Sequence, residues 1–129
     1  IYNYEVWQQA LARSFESLSD HIEEKYYILE NPELDFAPED AMPRPLVPYT
    51  KRSVDASLYD LRMQAYRQAV DQAAGDRFVV LDPKPILCDS QVCHYYDGKF
   101  LYADDDHLSV YGSEVVATGL KPHIFGSPN

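Results

Sequence analysis

The densest group of reactive side chains in this 129-residue sequence is Asp104-Asp105-Asp106-His107-Leu108-Ser109. A histidine that works as a general base must hold one tautomer and be stabilised once it turns cationic. A carboxylate that accepts its other ring N–H does both. Three residues of separation within a tight turn let Asp104 fold back onto His107, leaving Asp105 and Asp106 to face solvent or the N-terminus of a following helix. The same run also reads as electrostatic capping, and its oxygen ligands are too closely spaced for a calcium loop. A second group comprises Cys88, Cys93 and the adjacent His94. In an oxidising compartment the two cysteines close a small loop as a disulfide, worth ~2 kcal/mol on a loop-entropy estimate. In a reducing one they are free thiols, or begin a zinc site with His94 or His107, although zinc takes about four ligands and no second cysteine pair exists.

The elements that must carry these groups follow from periodicity and breakers. Tyr95-Tyr96 and Lys99–Tyr102 flank Asp97-Gly98, a favoured two-residue hairpin turn. Ser109 is placed to cap a helix from Val110 to Thr118 that Gly119 would end. Upstream, Trp7, Leu11, Phe15, Leu18 and Ile22 share one face of a helix predicted from Tyr4 to about Glu24, where Trp7 and Phe15 read as core or interface. Lys25–Leu29 reads as a buried strand stopped by Asn31-Pro32. A second helix capped by Thr50 or Ser53 runs to about Ala74, with Val54, Leu58, Leu61, Ala65 and Ala69 as its stripe and Gly75 as its left-handed stop. Arg77–Leu81 is a second buried strand, ended by Asp82-Pro83. Strand, helix-bearing connection and strand make a parallel βαβ unit. Between them, residues 32–50 hold Pro32, Pro38, Pro43, Pro45 and Pro48 and are expected to form a long surface loop, with Arg44, Lys51 and Arg52 as a solvated basic edge. Tyr95, Tyr96 and Tyr102 suit hairpin packing or a sugar-binding rim. His21 is expected in solvent, and His123 falls in the tail.

Composition limits the function classes. With 21 acidic against 11 basic residues the net charge is −10, which excludes a phosphate-tracking nucleic-acid binder and disfavours an anionic membrane surface. No apolar run is long enough to span a bilayer and no signal peptide is evident. The sequence starts at Ile1, as expected of a processed chain or a piece of a longer one.

Leu81-Asp-Pro83, Leu87-Cys88 with Cys93, Asp97-Gly98, and Leu101-Tyr102-x-Asp104-x-x-His107-Leu108-Ser109-x-x-Gly112 occur in an order that resembles the C-terminal part of SGNH (GDSL-like) domains. More narrowly, the pattern is similar to the SGNH domains fused to bacterial acyltransferase-3 membrane proteins, which O-acetylate cell-surface polysaccharides. The match is good over 81–112 and looser back to the first helix. The resemblance implies an α/β, partial flavodoxin-like three-layer fold with an incomplete parallel sheet, a small hairpin and a C-terminal helix. Residues 1–129 would then be the C-terminal part of a single SGNH-like domain. It implies that Asp104 and His107 are the acid and base of a Ser-His-Asp triad, that Cys88 and Cys93 form the disulfide of periplasmic members, and that no cofactor or metal is used.

The sequence departs from the family in one respect: it has no Gly-Asp-Ser block, and its first glycine is Gly75. Ser109 reads as a helix cap and Ser113 as a helix residue, so neither is the expected nucleophile. The chain alone is therefore expected to be inactive. It would need the missing N-terminal half of the domain, or would self-associate through exposed apolar surface. The implied parent is a periplasmic, inner-membrane-anchored O-acyltransferase acting on a glycan acceptor with an acyl donor. A carbohydrate esterase or deacetylase, and a non-catalytic secreted binding module whose aspartates cap or weakly hold a cation, are the alternatives.

Overall fold

A computed structural model describes residues 2–18, 20–48 and 52–127; Thr50 and Lys51 lie outside the described residues. The element order is helix α1 (Tyr2–Ser17), strand β1 (Tyr26–Ile28), a 3-10 turn (Pro38–Ala41), strand β2 (Val54–Asp55), helix α2 (Ala56–Ala74), strand β3 (Val79–Leu81), a short helix α3 (Lys84–Leu87), strand β4 (Val92–Cys93) and helix α4 (Val110–Phe125). The fold is mixed α/β. Its residues fall into two compact units, one of 1–29 with 62–81 and one of 30–61 with 82–129.

In the first unit β1 and β3 pair in parallel, Tyr26 opposite Val79 and Ile28 opposite Leu81, with α2 in the connection between them. The parallel pair expected from the strand–helix–strand order is present. Phe15 of α1 is buried, stacking on Phe78 at 4.3 Å between ring centroids and tilting against Tyr27 at 5.2 Å. Trp7 lies 5.6 Å from the Tyr66 ring, and the Tyr27 and Tyr66 hydroxyls are hydrogen-bonded at 3.0 Å. Helix α1 stops at Ser17, earlier than predicted, so Leu18 and Ile22 are exposed and do not extend the stripe. The hydroxyls of Ser14 and Ser17 donate to the carbonyls of Ala10 and Ser14, and such side-chain competition for carbonyls weakens a helix end.

Helix α2 corrects two expectations. Its cap is Asp55, whose Oδ1 accepts from the backbone N–H of Ser57 and Leu58 at 2.8 and 3.1 Å. Its buried face runs through Ala56, Tyr59, Ala69, Val70 and Ala74, whereas Leu58 and Leu61 are exposed, Leu61 by 69%. The 56-59-63-66-70 series also obeys helical spacing, and Tyr59 takes the inner face because its hydroxyl reaches the Glu30 carbonyl at 2.9 Å. Gly75 ends the helix with φ 50°, as expected.

The second unit is organised around the 84–125 region. Val54 and Asp55 pair antiparallel with Cys93 and Val92, a short sheet the sequence reading did not foresee. Tyr96 bridges Phe100 with Asp97, Gly98 and Lys99 at the tip, so the hairpin turn is one residue longer than the Asp-Gly pair suggested, and Gly98 takes φ 70°. Ser109 caps α4 as expected, its Oγ accepting from the N–H of Gly112 at 3.0 Å. The helix then passes straight through Gly119 and Pro122 to Phe125. Gly119 is a packing residue rather than a stop: a Cβ there would lie 2.5 Å from Ile86 Cδ1. His123 sits in the last turn of α4 rather than in a tail. Residues 32–36 alternate, with Pro32, Leu34 and Phe36 buried and Glu33 and Asp35 exposed, so the front of the proline-rich segment, up to the 3-10 turn at Pro38, is packed on one side.

A Cβ at Gly112 would overlap the carbonyl oxygen of Leu101, which is backbone and cannot turn aside. Gly112→Ala is expected to cost about 1–3 kcal/mol, typical of overpacking. Gly119→Ala should cost less, because the Ile86 side chain can move. Chemical denaturation midpoints of the two variants check the ranking, and a Gly112→Ala protein as stable as the unaltered chain would contradict it.

Candidate functional site

The loop between the hairpin and α4 is closed at its base by the Tyr102–Leu108 bridge and by the Ala103 N–H donating to the His107 carbonyl at 2.8 Å. Within it, Oδ1 of Asp104 accepts from the backbone N–H of His107 at 2.7 Å and of Asp106 at 3.1 Å, the local pattern of an aspartate-stabilised turn. The same carboxylate faces the ring: Nδ1 of His107 is 3.1 Å from Oδ1 and 3.0 Å from Oδ2. The His107 side chain is 75% exposed, and among the described residues no hydrogen bond engages its Nε2. Asp106 is exposed, as expected, and in addition places Oδ1 2.7 Å from the same Nδ1. The exposed Asp105 contributes its carbonyl, which accepts from the N–H of Leu34 at 2.7 Å.

The electrostatics follow from those contacts. Backbone N–H groups of His107 and then Asp106 hold the Asp104 carboxyl down at about 2, from an ordinary 3.8. Hydrogen bonding to Asp104, followed by the charges of Asp104 and Asp106, raises His107 above 6.5. Asp106 makes the shorter contact, yet Asp104 contributes more, because both of its oxygens face Nδ1 and the turn pins its carboxylate in place. The donor atoms of Asp104, Asp106 and His107 lie within 4.8 Å of one another.

The proline-rich segment supports this loop. Besides the Leu34–Asp105 bond, the Asn31 amide donates to the Asp106 carbonyl at 3.0 Å, and the Tyr102 hydroxyl donates to the Pro32 carbonyl. Tyr102 is only 2% exposed, so it belongs to the core and not to a sugar-binding rim, and burial pushes its phenol pKa up. Tyr95 packs edge-on against Phe36, and Tyr96 against Phe100. Ser109 is fully engaged, its hydroxyl donating to the Phe100 carbonyl at 2.7 Å while accepting from Gly112, which suits a cap and not a nucleophile. The alternation Pro32-Glu33-Leu34-Asp35-Phe36 was the signal that this segment is packed, and the count of prolines obscured it.

Cys88 and Cys93 are joined as a disulfide, so neither thiolate is available to zinc. They face each other as a bridge pair flanked by Asp89 N–H to Val92 carbonyl and His94 N–H to Leu87 carbonyl bonds, the closely approaching type of antiparallel position. In that hairpin Asp89 Oδ1 accepts from the N–H of Gln91 and Val92, and its Oδ2 lies 3.2 Å from His94 Nε2. This second carboxylate–imidazole pair, built like the first, was not foreseen. In the basic edge, Arg44 pairs with Asp40 at 2.6 Å and Arg52 lies over the Phe36 ring at 5.4 Å.

A family model described as SGNH domain (fused to AT3 domains) matches residues 2–122. No curated protein and no solved structure matches the chain.

The lowered Asp104 carboxyl adds stability above about pH 4 that is lost as pH falls toward 2. The raised His107 adds stability that is full below 6.5 and is lost as pH rises through its elevated value. Both contributions are therefore present between about pH 4 and 6.5. Thermal unfolding of the chain against His107→Gln should show the largest difference in Tm in that window and a shrinking one as pH rises through the raised His107 value. Because both groups are exposed the difference is small and falls with added salt.

Proposed function

The chain belongs to the SGNH domains found fused to AT3 domains, and from that premise we propose that it supplies the acid–base half of an O-acyl transfer site. In this reading Nε2 of His107 takes the proton of a serine hydroxyl as that oxygen attacks an acyl carbonyl, and returns it to the departing group of the donor. In the second half-reaction it takes the proton of a sugar hydroxyl that attacks the acyl-serine, and returns it to the serine oxygen. Asp104 keeps the proton on Nδ1 and stabilises the imidazolium formed in each half. The observation that carries the reading is the approach of the Asp104 carboxylate to Nδ1 at 3.0 Å beside an exposed ring whose Nε2 makes no hydrogen bond among the described residues. Water in place of the sugar gives the corresponding esterase from the same groups.

The sequence holds no Gly-Asp-Ser block and Ser109 is occupied by capping, so the reading assigns the nucleophile to polypeptide outside these residues. A two-stranded parallel sheet supports that assignment. Parallel sheets are normally covered on both faces, whereas Ile28 and Val79 here are half exposed and both strands are edges. Further strands from the rest of an SGNH domain, or a second copy of the chain, would cover them. The Cys88–Cys93 disulfide favours an oxidising compartment, which for a membrane-fused bacterial domain is the periplasm. Among the described residues no helix is long and apolar enough to cross a membrane.

In the full-length protein, His107→Ala is expected to lower O-acetylation of the glycan by ~10²–10⁴-fold, the usual worth of a general base. The 129-residue chain alone should hydrolyse p-nitrophenyl acetate no faster than its own His107→Ala variant. Unchanged acetylation by the full-length variant would overturn the role of His107. Turnover by the isolated chain that His107→Ala abolishes would overturn the external nucleophile.

A further inference from the structure

The base of this site faces two acids, not one. Asp106 Oδ1 lies 2.7 Å from His107 Nδ1, closer than either oxygen of Asp104, and nothing in the established Asp-x-x-His spacing requires it there. We propose that Asp106 is a second positioning carboxylate of His107, sharing the ring with Asp104 through its charge beside Nδ1 while the Nδ1 hydrogen bonds go to Asp104, so that the orientation and charge of the base rest on a pair of acids. The proposal deepens the acid–base reading above and depends on it.

The two aspartates are differently committed. Asp104 gives Oδ1 to two backbone N–H groups, so it builds the turn as well as facing the ring. The main chain of Asp106 is fixed on both sides, its N–H donating to Asp104 and its carbonyl accepting from Asn31. Its carboxylate is left directed at the ring. Two anionic carboxylates with donor atoms within 4.8 Å repel each other, and a cationic ring between them relieves that repulsion. The arrangement therefore favours the imidazolium that forms after proton abstraction.

Among the described residues, the titratable side chains in contact with the ring are Asp104 and Asp106. The exposed Asp105 carboxylate is on the same turn. The segment packed against the loop presents the Asn31 amide and the Leu34 N–H, which do not titrate; its charged side chains, Glu33 and Asp35, are exposed.

Imidazole nitrogen–proton spectra of the 15N-labelled chain test this without requiring turnover, in Asp104→Asn, Asp106→Asn, Asp106→Ser and the double Asp104→Asn/Asp106→Asn variant. Backbone spectra check that residues outside the loop are unmoved. Asp106→Asn and Asp106→Ser should each lower the His107 midpoint by ~0.5 unit, a solvent-weakened part of the ~1–3 units that one opposite charge gives at close range. The Nδ1–H tautomer should persist in both, held by Asp104, and be lost only in the double variant. Titration curves for both Asp106 variants that superimpose on the unaltered chain would overturn the proposal while leaving Asp104 in place. A flat response to Asp104→Asn together with a shift in the Asp106 variants would instead overturn the pairing of Asp104 with His107, and with it the sharing proposed here.

Discussion

One oxygen of one carboxylate holds the site together. Asp104 Oδ1 accepts two successive backbone N–H groups, and that commitment sets the path of residues 104–107 and brings the imidazole against the same carboxylate. A charged acceptor for backbone N–H is among the stronger hydrogen-bonding arrangements in exposed chain, which is why its carboxyl stays ionised far below the ordinary range. Turn formation and ring orientation are thus one interaction seen from two sides. A substitution at Asp104 changes loop shape and imidazole electrostatics together, whereas Asp106 touches chiefly the second.

The loop would still be a short exposed excursion without its surroundings. Below it the Tyr102–Leu108 bridge closes the stem, and the buried Tyr102 ties that stem to the Pro32 carbonyl. Beside it, Asn31 and Leu34 bind the carbonyls of Asp106 and Asp105. Beyond it, the Ser109 hydroxyl joins the Phe100 carbonyl to the first turn of α4. Prolines in the flanking segment restrict its unfolded alternatives, so the chain that buttresses the loop carries a smaller entropic cost than its length suggests.

Much of this was legible in the sequence where the cause is local. The Asp104–His107 spacing, the Ser109 cap, the left-handed stop at Gly75 and the parallel strand pair all follow from signals within a few residues or from strand–helix–strand order. What escaped depends on tertiary packing. Gly119 has the composition of a stop but is small because Ile86 lies against it, and Tyr59 displaced Leu58 from the inner face of α2 because its hydroxyl had a carbonyl to reach. The contact of Asp106 with Nδ1 was hidden by its position next to the histidine, where adjacent side chains ordinarily diverge.

The acid–imidazole unit is made almost wholly from one contiguous stretch, from Leu101 to Gly112. Contacts so near along the chain close in early, fast folding steps, and the bonds from Asn31, Pro32 and Leu34 then hold the loop in place. On the function proposed above, the ring would already be aimed when a nucleophile from other polypeptide docks against it.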